Sequence, residues 1–218
     1  MSHYRSIIYY TDSELPDKMA GLVRQKIQAI GLPIISSSLK PLNFGTNIPM
    51  PGPRGYKSMF EQILVCLENS PGEIIYFCEA DVLYPKEHFD FVPKDDKFYY
   101  NNYFWKVFPD GTAVSWEADQ VSGLVCYKKP AIKWYRTRLA TFDPKNFDRK
   151  FEPLSGEGSE KFMSSVPLVD IRHGRNLTFS KKGLHHFRKK ETAVNFKKST
   201  IDNIPGWSLK VEDIYPVN

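Results

Sequence analysis

Cysteine is scarce in this chain, long apolar runs are absent, and one stretch is almost without acid; each shortage excludes something. Only three cysteines occur, Cys66, Cys78 and Cys126, all in apolar surroundings and with no CxxC or Cys/His spacing. Buried reduced thiols are therefore expected, in place of disulfides or a zinc centre. No apolar run approaches the roughly 20 residues of a membrane span, and the opening "MSHYRSIIYYTD" lacks the apolar core and small-residue cleavage site of a signal peptide. The expectation is a cytoplasmic protein without membrane contact. The third shortage is local. The net charge is only +5, yet residues 172–198 carry nine Lys and Arg against the single acid Glu191. Phe179, His185, His186, Phe187 and Phe196 are interleaved there. Cations neutralise phosphates and aromatic faces stack on bases, so the segment suits a polyanion. The same pattern also describes a solvated cationic face with a few core aromatics.

What the sequence does contain is room for a core. With 218 residues and 41% hydrophobic content it is expected to form a single domain. "SIIYY" (6–10) is β-branched and aromatic and predicts a strand. Leu15, Met19, Leu22, Val23, Ile27 and Ile30 then repeat at helical spacing, with Pro16 in the first turn and Gly31 as the stop. "LPIISSS" (32–38) predicts a second strand, the Pro- and Gly-rich stretch 40–55 a loop, and Met59, Phe60, Ile63, Leu64 and Leu67 a second helix. Ile74–Cys78 follow as a buried strand. The alternation predicts an α/β domain: a mostly parallel, Rossmann-like central sheet with helices on both faces.

That last strand runs into "EAD", Glu79-Ala80-Asp81. In open α/β sheets, ligands bind outside the carboxyl ends of the strands, so Thr11 and Asp12 after the first strand and Glu79 and Asp81 after the third are expected to share a site. If the backbone stays extended, both acids leave one face. Paired carboxylates there suit a hard divalent cation, Mg²⁺ or Mn²⁺, or else form a hydrated surface turn.

The stretches "IIYYTDSELP", "GLPIISSSLKP", "RGYKSMFEQIL", "FCEADVLYPKEHFDFVP", "KFYYNNYFWKV", "VSGLVCY", "VDIRHGRNLT" and "IPGW", in that order, resemble the GT-A superfamily of nucleotide-sugar glycosyltransferases. The likeness is to a group of small bacterial and phage proteins of the family-2-like kind. It departs at Ala80, where that group has histidine. The resemblance implies a GT-A-like domain over 1–218, with 1–95 binding the nucleotide sugar and 96–218 facing the acceptor. It implies a D-x-D-type motif in which Asp81 ligates the cation, Glu79 meets the donor ribose or the cation through water, and His173 completes the metal site. Thr11 and Asp12 would hold the nucleoside, and Lys40 and Arg54 the diphosphate or sugar of a UDP-sugar. Arg54 is helped by a helix N-terminus, which attracts phosphate. Lys40 read alone is a loop lysine, and Asp12 a helix cap.

An inverting reaction needs a general base, for which Glu117 and Asp119 are the candidates, with Trp116 lining an acceptor pocket; a retaining reaction needs none. For the acceptor, the basic segment 172–198 points to DNA, and the phage context to a 5-hydroxymethylpyrimidine base, flipped out for reaction. A soluble glycan or small molecule is the alternative, as is a catalytically idle module that binds nucleic acid. "FEPLSGEGSEKF" (151–162) is expected to be a loop that closes over the donor.

Overall fold

A computed structural model describes residues 4–145, 153, 158–177 and 195–215. The first strand is β1 (Arg5–Thr11), the first helix α1 (Asp17–Gln28) and the second strand β2 (Ile34–Ser38). Met19, Val23 and Ile27 form the buried stripe of α1, as their spacing requires. Pro16 sits just before the helix, where its carbonyl accepts the Ala20 N–H at 3.0 Å. Gly31 follows the helix with φ of 77°, a conformation that glycine adopts without steric cost. The expected loop 40–55 contains one further strand, β3 (Thr46–Pro49), parallel to β2. Its anchor is Asn47, whose amide donates to the Ser36 and Ser38 hydroxyls, each at 3.0 Å. Helix α2 (Tyr56–Asn69) and strand β4 (Ile74–Glu79) complete the predicted alternation.

After β4 come β5 (Val82–Leu83), β6 (Phe98–Asn101), β7 (Phe104–Val107), β8 (Thr112–Ser115) and β9 (Leu124–Tyr127). Helix α3 (Lys128–Ala140), β10 (Ser159–Phe162), β11 (Leu168–Ile171), β12 (Lys197–Thr200) and the short α4 (Val211–Ile214) follow. Seven strands make the central sheet, in the order β10-β6-β9-β4-β1-β2-β3. Only β9 runs against its neighbours, β4 and β6. Successive residues of β1 and β4 point to opposite faces. Ile7, Tyr9, Ile74 and Tyr76 pack with α1 on one side. Ile8, Tyr10, Ile75 and Phe77 pack with α2 and α3 on the other. The fold is therefore mixed α/β, with a mostly parallel sheet between helices. No helix among the described residues is long and apolar enough to cross a membrane, and all three cysteines are buried free thiols.

A second sheet was not evident in the sequence. Its order is β12-β8-β7-β11-β5, and its apolar residues join the core on the α1 side. The run "KFYYNNYFWKV" reads as one strand but is two, β6 in the first sheet and β7 in the second. The break falls at Asn101-Asn102, where the Asn101 side chain accepts the Tyr103 N–H at 3.1 Å and donates to Ser164 at 2.8 Å. Local polar bonds of this kind compete with the strand ladder.

Beneath this break lies His88, fully buried among Tyr84, Phe89 and Phe162. Its Nδ1 is 3.2 Å from the Asn101 amide. Burial lowers its pKa from 6.5 to about 3, so the folded protein holds it neutral while the unfolded chain protonates it below 6.5. This contribution to stability is present above pH 6.5 and is lost as pH falls from there toward 3. Chemical denaturation at pH 7 and pH 5 is expected to show about 2 kcal/mol less stability at pH 5 from this residue. A His88→Phe variant that folds should lack that part of the pH dependence.

Candidate functional site

A cleft opens at the carboxyl ends of β1 and β4. Its walls come from the chain after β1 (Thr11, Asp12, Glu14), the start of α2 (Ser58, Met59, Gln62), the β4–β5 crossing (Glu79, Ala80, Asp81) and the region after β11 (Arg172, His173, Arg175, Asn176). Lys106, Gln120 and Asp170 line it as well. Why the buried strand ends in acid is now clear. The chain leaves the first sheet at Glu79 and enters the second at Val82, and the two acids flank the crossing. The backbone is not extended there; Ala80 and Asp81 form a turn, yet both carboxylates still line the cleft.

The same crossing brings together residues 92 positions apart. β5 pairs antiparallel with β11, placing Val82 opposite Asp170, and the Ile171 N–H donates to the Asp81 carbonyl at 2.8 Å. His173, two residues beyond β11, is thereby delivered to Asp81, with its Nε2 at 3.3 Å from Oδ2. Asn176, which the sequence did not single out, joins them. Its Nδ2 lies 2.8 Å from Asp81 Oδ2 and 3.0 Å from His173 Nε2, while its Oδ1 accepts the His173 N–H at 2.8 Å.

Glu79 accepts a hydrogen bond from the Tyr10 hydroxyl at 2.8 Å. Burial, and next the nearby charge of Asp81, raise its pKa to about 8, so at neutral pH it is mostly a neutral carboxylic acid. Behind it lies a group invisible in the sequence. Lys106 on β7 faces Asp170 on β11 across the ladder, and their side chains meet at 2.7 Å with both residues buried. Lys106 also donates to Gln120 at 2.9 Å and lies over the faces of Phe104 and Trp116. Burial pushes the Asp170 pKa up, but the charges of Lys106 and of Arg172, 3.6 Å away, outweigh it and hold the carboxylate below its ordinary value.

Other expected site residues are placed as follows. Thr11 lines the cleft, and its carbonyl accepts from Gln62 at 2.9 Å. Asp12 turns the chain by accepting the Glu14 N–H at 3.1 Å and pairs with Arg54, whose guanidinium also donates to the Arg175 carbonyl. Gly55 and not Arg54 precedes α2 directly. Lys40 is exposed, pairs with Glu14 at 3.3 Å and is outside the cleft lining. Glu117 and Asp119 are not brought to the cleft either: Glu117 is bonded to Asn195 and lies 3.7 Å from Lys161, and Asp119 accepts from Asn102 at 3.3 Å. Trp116 is buried beneath Lys106. Of the basic segment, 178–194 lie outside the described residues. So do 151, 152 and 154–157 of the expected closing loop, of whose described residues, 153 and 158–162, the last four are β10.

Among the described residues no cluster of three or more His, Cys, Asp and Glu side chains could hold a metal ion. Asp81 and His173 nevertheless fit as two ligands. Their 3.3 Å separation is close to the edge of about 3 Å between adjacent ligands of a six-coordinate Mg²⁺-sized ion. Carboxylate oxygen with imidazole nitrogen suits Mn²⁺.

No family model and no curated protein matches this chain. Among solved structures, HddC from Yersinia pseudotuberculosis is similar at 13% identity and a TM-score of 0.47, covering 77% of this chain and 93% of that one. A glycosyltransferase involved in the glycosylation of the major capsid of PBCV-1 is similar at 11% identity and a TM-score of 0.47, covering 76% and 91%. The bifunctional IspDF from Campylobacter jejuni is similar at 15% identity and a TM-score of 0.41, covering 64% and 45%. These likenesses are too distant to assign chemistry, which the cleft itself must supply.

Proposed function

We propose that the cleft binds a nucleoside diphosphate sugar, with a uridine diphosphate donor in view, and transfers its sugar to a hydroxyl group. The observation that carries this reading is the Asp81–His173 pair, set at the carboxyl ends of two parallel strands and beside Arg172 and Arg175. Carboxylate and imidazole would hold a divalent cation, Mn²⁺ or Mg²⁺, and the two arginines would meet diphosphate oxygens. When bound, the cation supplies positive charge to the diphosphate as the sugar departs. In the reaction the bond from the anomeric carbon to the diphosphate oxygen breaks, its electrons leave with the nucleotide, the acceptor oxygen bonds to that carbon, and the hydroxyl proton passes to the departing diphosphate or to water. Glu79, held by the Tyr10 hydroxyl at the end of β4, lines the cleft beside Asp81 and faces the donor. The base is assigned to neither Glu117 nor Asp119, since neither lines the cleft.

For the acceptor we favour a 5-hydroxymethylpyrimidine base in DNA, on the strength of the charge and aromatic content of 172–198. The test is mass spectrometry of nucleosides from DNA containing 5-hydroxymethylcytosine or 5-hydroxymethyluracil, after incubation with the protein, Mn²⁺ and a panel of UDP-sugars. A nucleoside heavier by one sugar is the expected result. Unmodified nucleosides with consumption of a UDP-sugar would keep the transferase reading and replace the acceptor by a soluble glycan or small molecule. Binding of DNA with no donor consumed would mark an idle module.

A further inference from the structure

The two side chains that would hold the cation are already bonded within the protein. The Arg175 backbone N–H donates to His173 Nδ1 at 3.1 Å. A neutral imidazole with an accepting Nδ1 carries its proton on Nε2, the nitrogen that faces Asp81 at 3.3 Å. Asn176 adds a second N–H to the same carboxylate oxygen, at 2.8 Å. Asp81 Oδ2 is thus satisfied by two protein donors, and both ligand atoms of the proposed metal site are turned toward each other and toward the Asn176 amide nitrogen, 3.0 Å from Nε2. A cation cannot share an imidazole nitrogen with a proton, so loading requires the ring to give up its bond to the Arg175 N–H and Asn176 to release Asp81.

We infer that Asn176 is a built-in competitor for the cation: its amide nitrogen takes the place of the metal at Asp81 and His173, and binding of a divalent ion displaces it. This rests on the metal-dependent reading above. Loading would then be coupled to the whole 173–177 loop. That loop is tied across the cleft by the Arg175 guanidinium to the Glu14 carbonyl at 3.0 Å, by Arg54 to the Arg175 carbonyl, and by the Tyr56 hydroxyl to the Leu177 carbonyl at 3.4 Å.

The experiment is titration of the full chain with Mn²⁺, followed by the electron paramagnetic resonance signal of free Mn²⁺. The proteins compared are wild type, Asn176→Ala, Asn176→Ser and Asp81→Asn. The serine variant removes the amide nitrogen but keeps a polar group at the position, so that tighter binding by both variants does not depend on one replacement side chain. A hydrogen bond to a charged group is typically worth enough to change an equilibrium by about tenfold or more. Both Asn176 variants are therefore expected to bind Mn²⁺ roughly tenfold more tightly than wild type. Equal or weaker binding by both, with wild type binding normally and Asp81→Asn not at all, overturns the competitor role while the metal site survives. No Mn²⁺ binding by any of the four overturns the metal site and the competitor together.

Discussion

Asp81→Asn is expected to lower donor consumption by at least two orders of magnitude, roughly what the loss of a preorganised charge at a reacting group costs. The amide keeps the size of the side chain and can still accept from the Asn176 amide, so the fold should be unaffected. What it loses is the negative charge that would hold the cation opposite the His173 imidazole. The comparison is steady-state release of nucleoside diphosphate by wild type and variant under saturating Mn²⁺, with thermal denaturation as the control. A variant that keeps its melting temperature and its activity would remove Asp81 from the site.

The second large effect is on stability. Lys106→Ala leaves Asp170 buried with only the more distant Arg172 charge as partner. Breaking one side of a buried ion pair typically costs about 3–5 kcal/mol, because the remaining charge is left uncompensated. Against a total stability of roughly 5–15 kcal/mol, that is a large share. The lysine stem and ammonium also lose their contacts with Phe104 and Trp116. Urea denaturation should show the loss, and the pair of changes Lys106→Met with Asp170→Asn should recover part of it, since neither member of the pair is then charged, although Arg172 loses the Asp170 carboxylate. A single variant less than about 1 kcal/mol below wild type would mean that water reaches this pair and that its burial does not govern the floor of the cleft.

The first half of the domain was legible because its physics is local. The helical spacing in α1 and α2 and the β-branched runs of β1, β2 and β4 each bury one face or one element, and the pattern alone fixes their type. The acid at the end of β4 was legible from position, since a buried strand feeding into Glu79 and Asp81 places them at the sheet's carboxyl edge. The turn at Ala80 was not, because it exists to carry the chain between two sheets. Nor was the second sheet, whose strands of two to four residues are too short for alternation to show. That sheet determines most of what the sequence could not reveal. The Lys106–Asp170 pair depends on the β7–β11 register, and Asn176 reaches Asp81 only because β5 pairs with β11. Arg54 is outside the cleft lining, and its guanidinium is engaged by Asp12 and the Arg175 carbonyl. Side chains such as Glu117, read from their order along the chain, depend on loop paths that no periodicity encodes.

The measurement that bears most directly on the central claim is ion-exchange chromatography of nucleotides after incubating the protein with a panel of UDP-sugars, once with Mn²⁺ and once with a chelator. Release of UDP from at least one donor with Mn²⁺, and its loss with the chelator, is the expected result. Intact donors in both arms, or equal release in both, would contradict a metal-dependent sugar transferase.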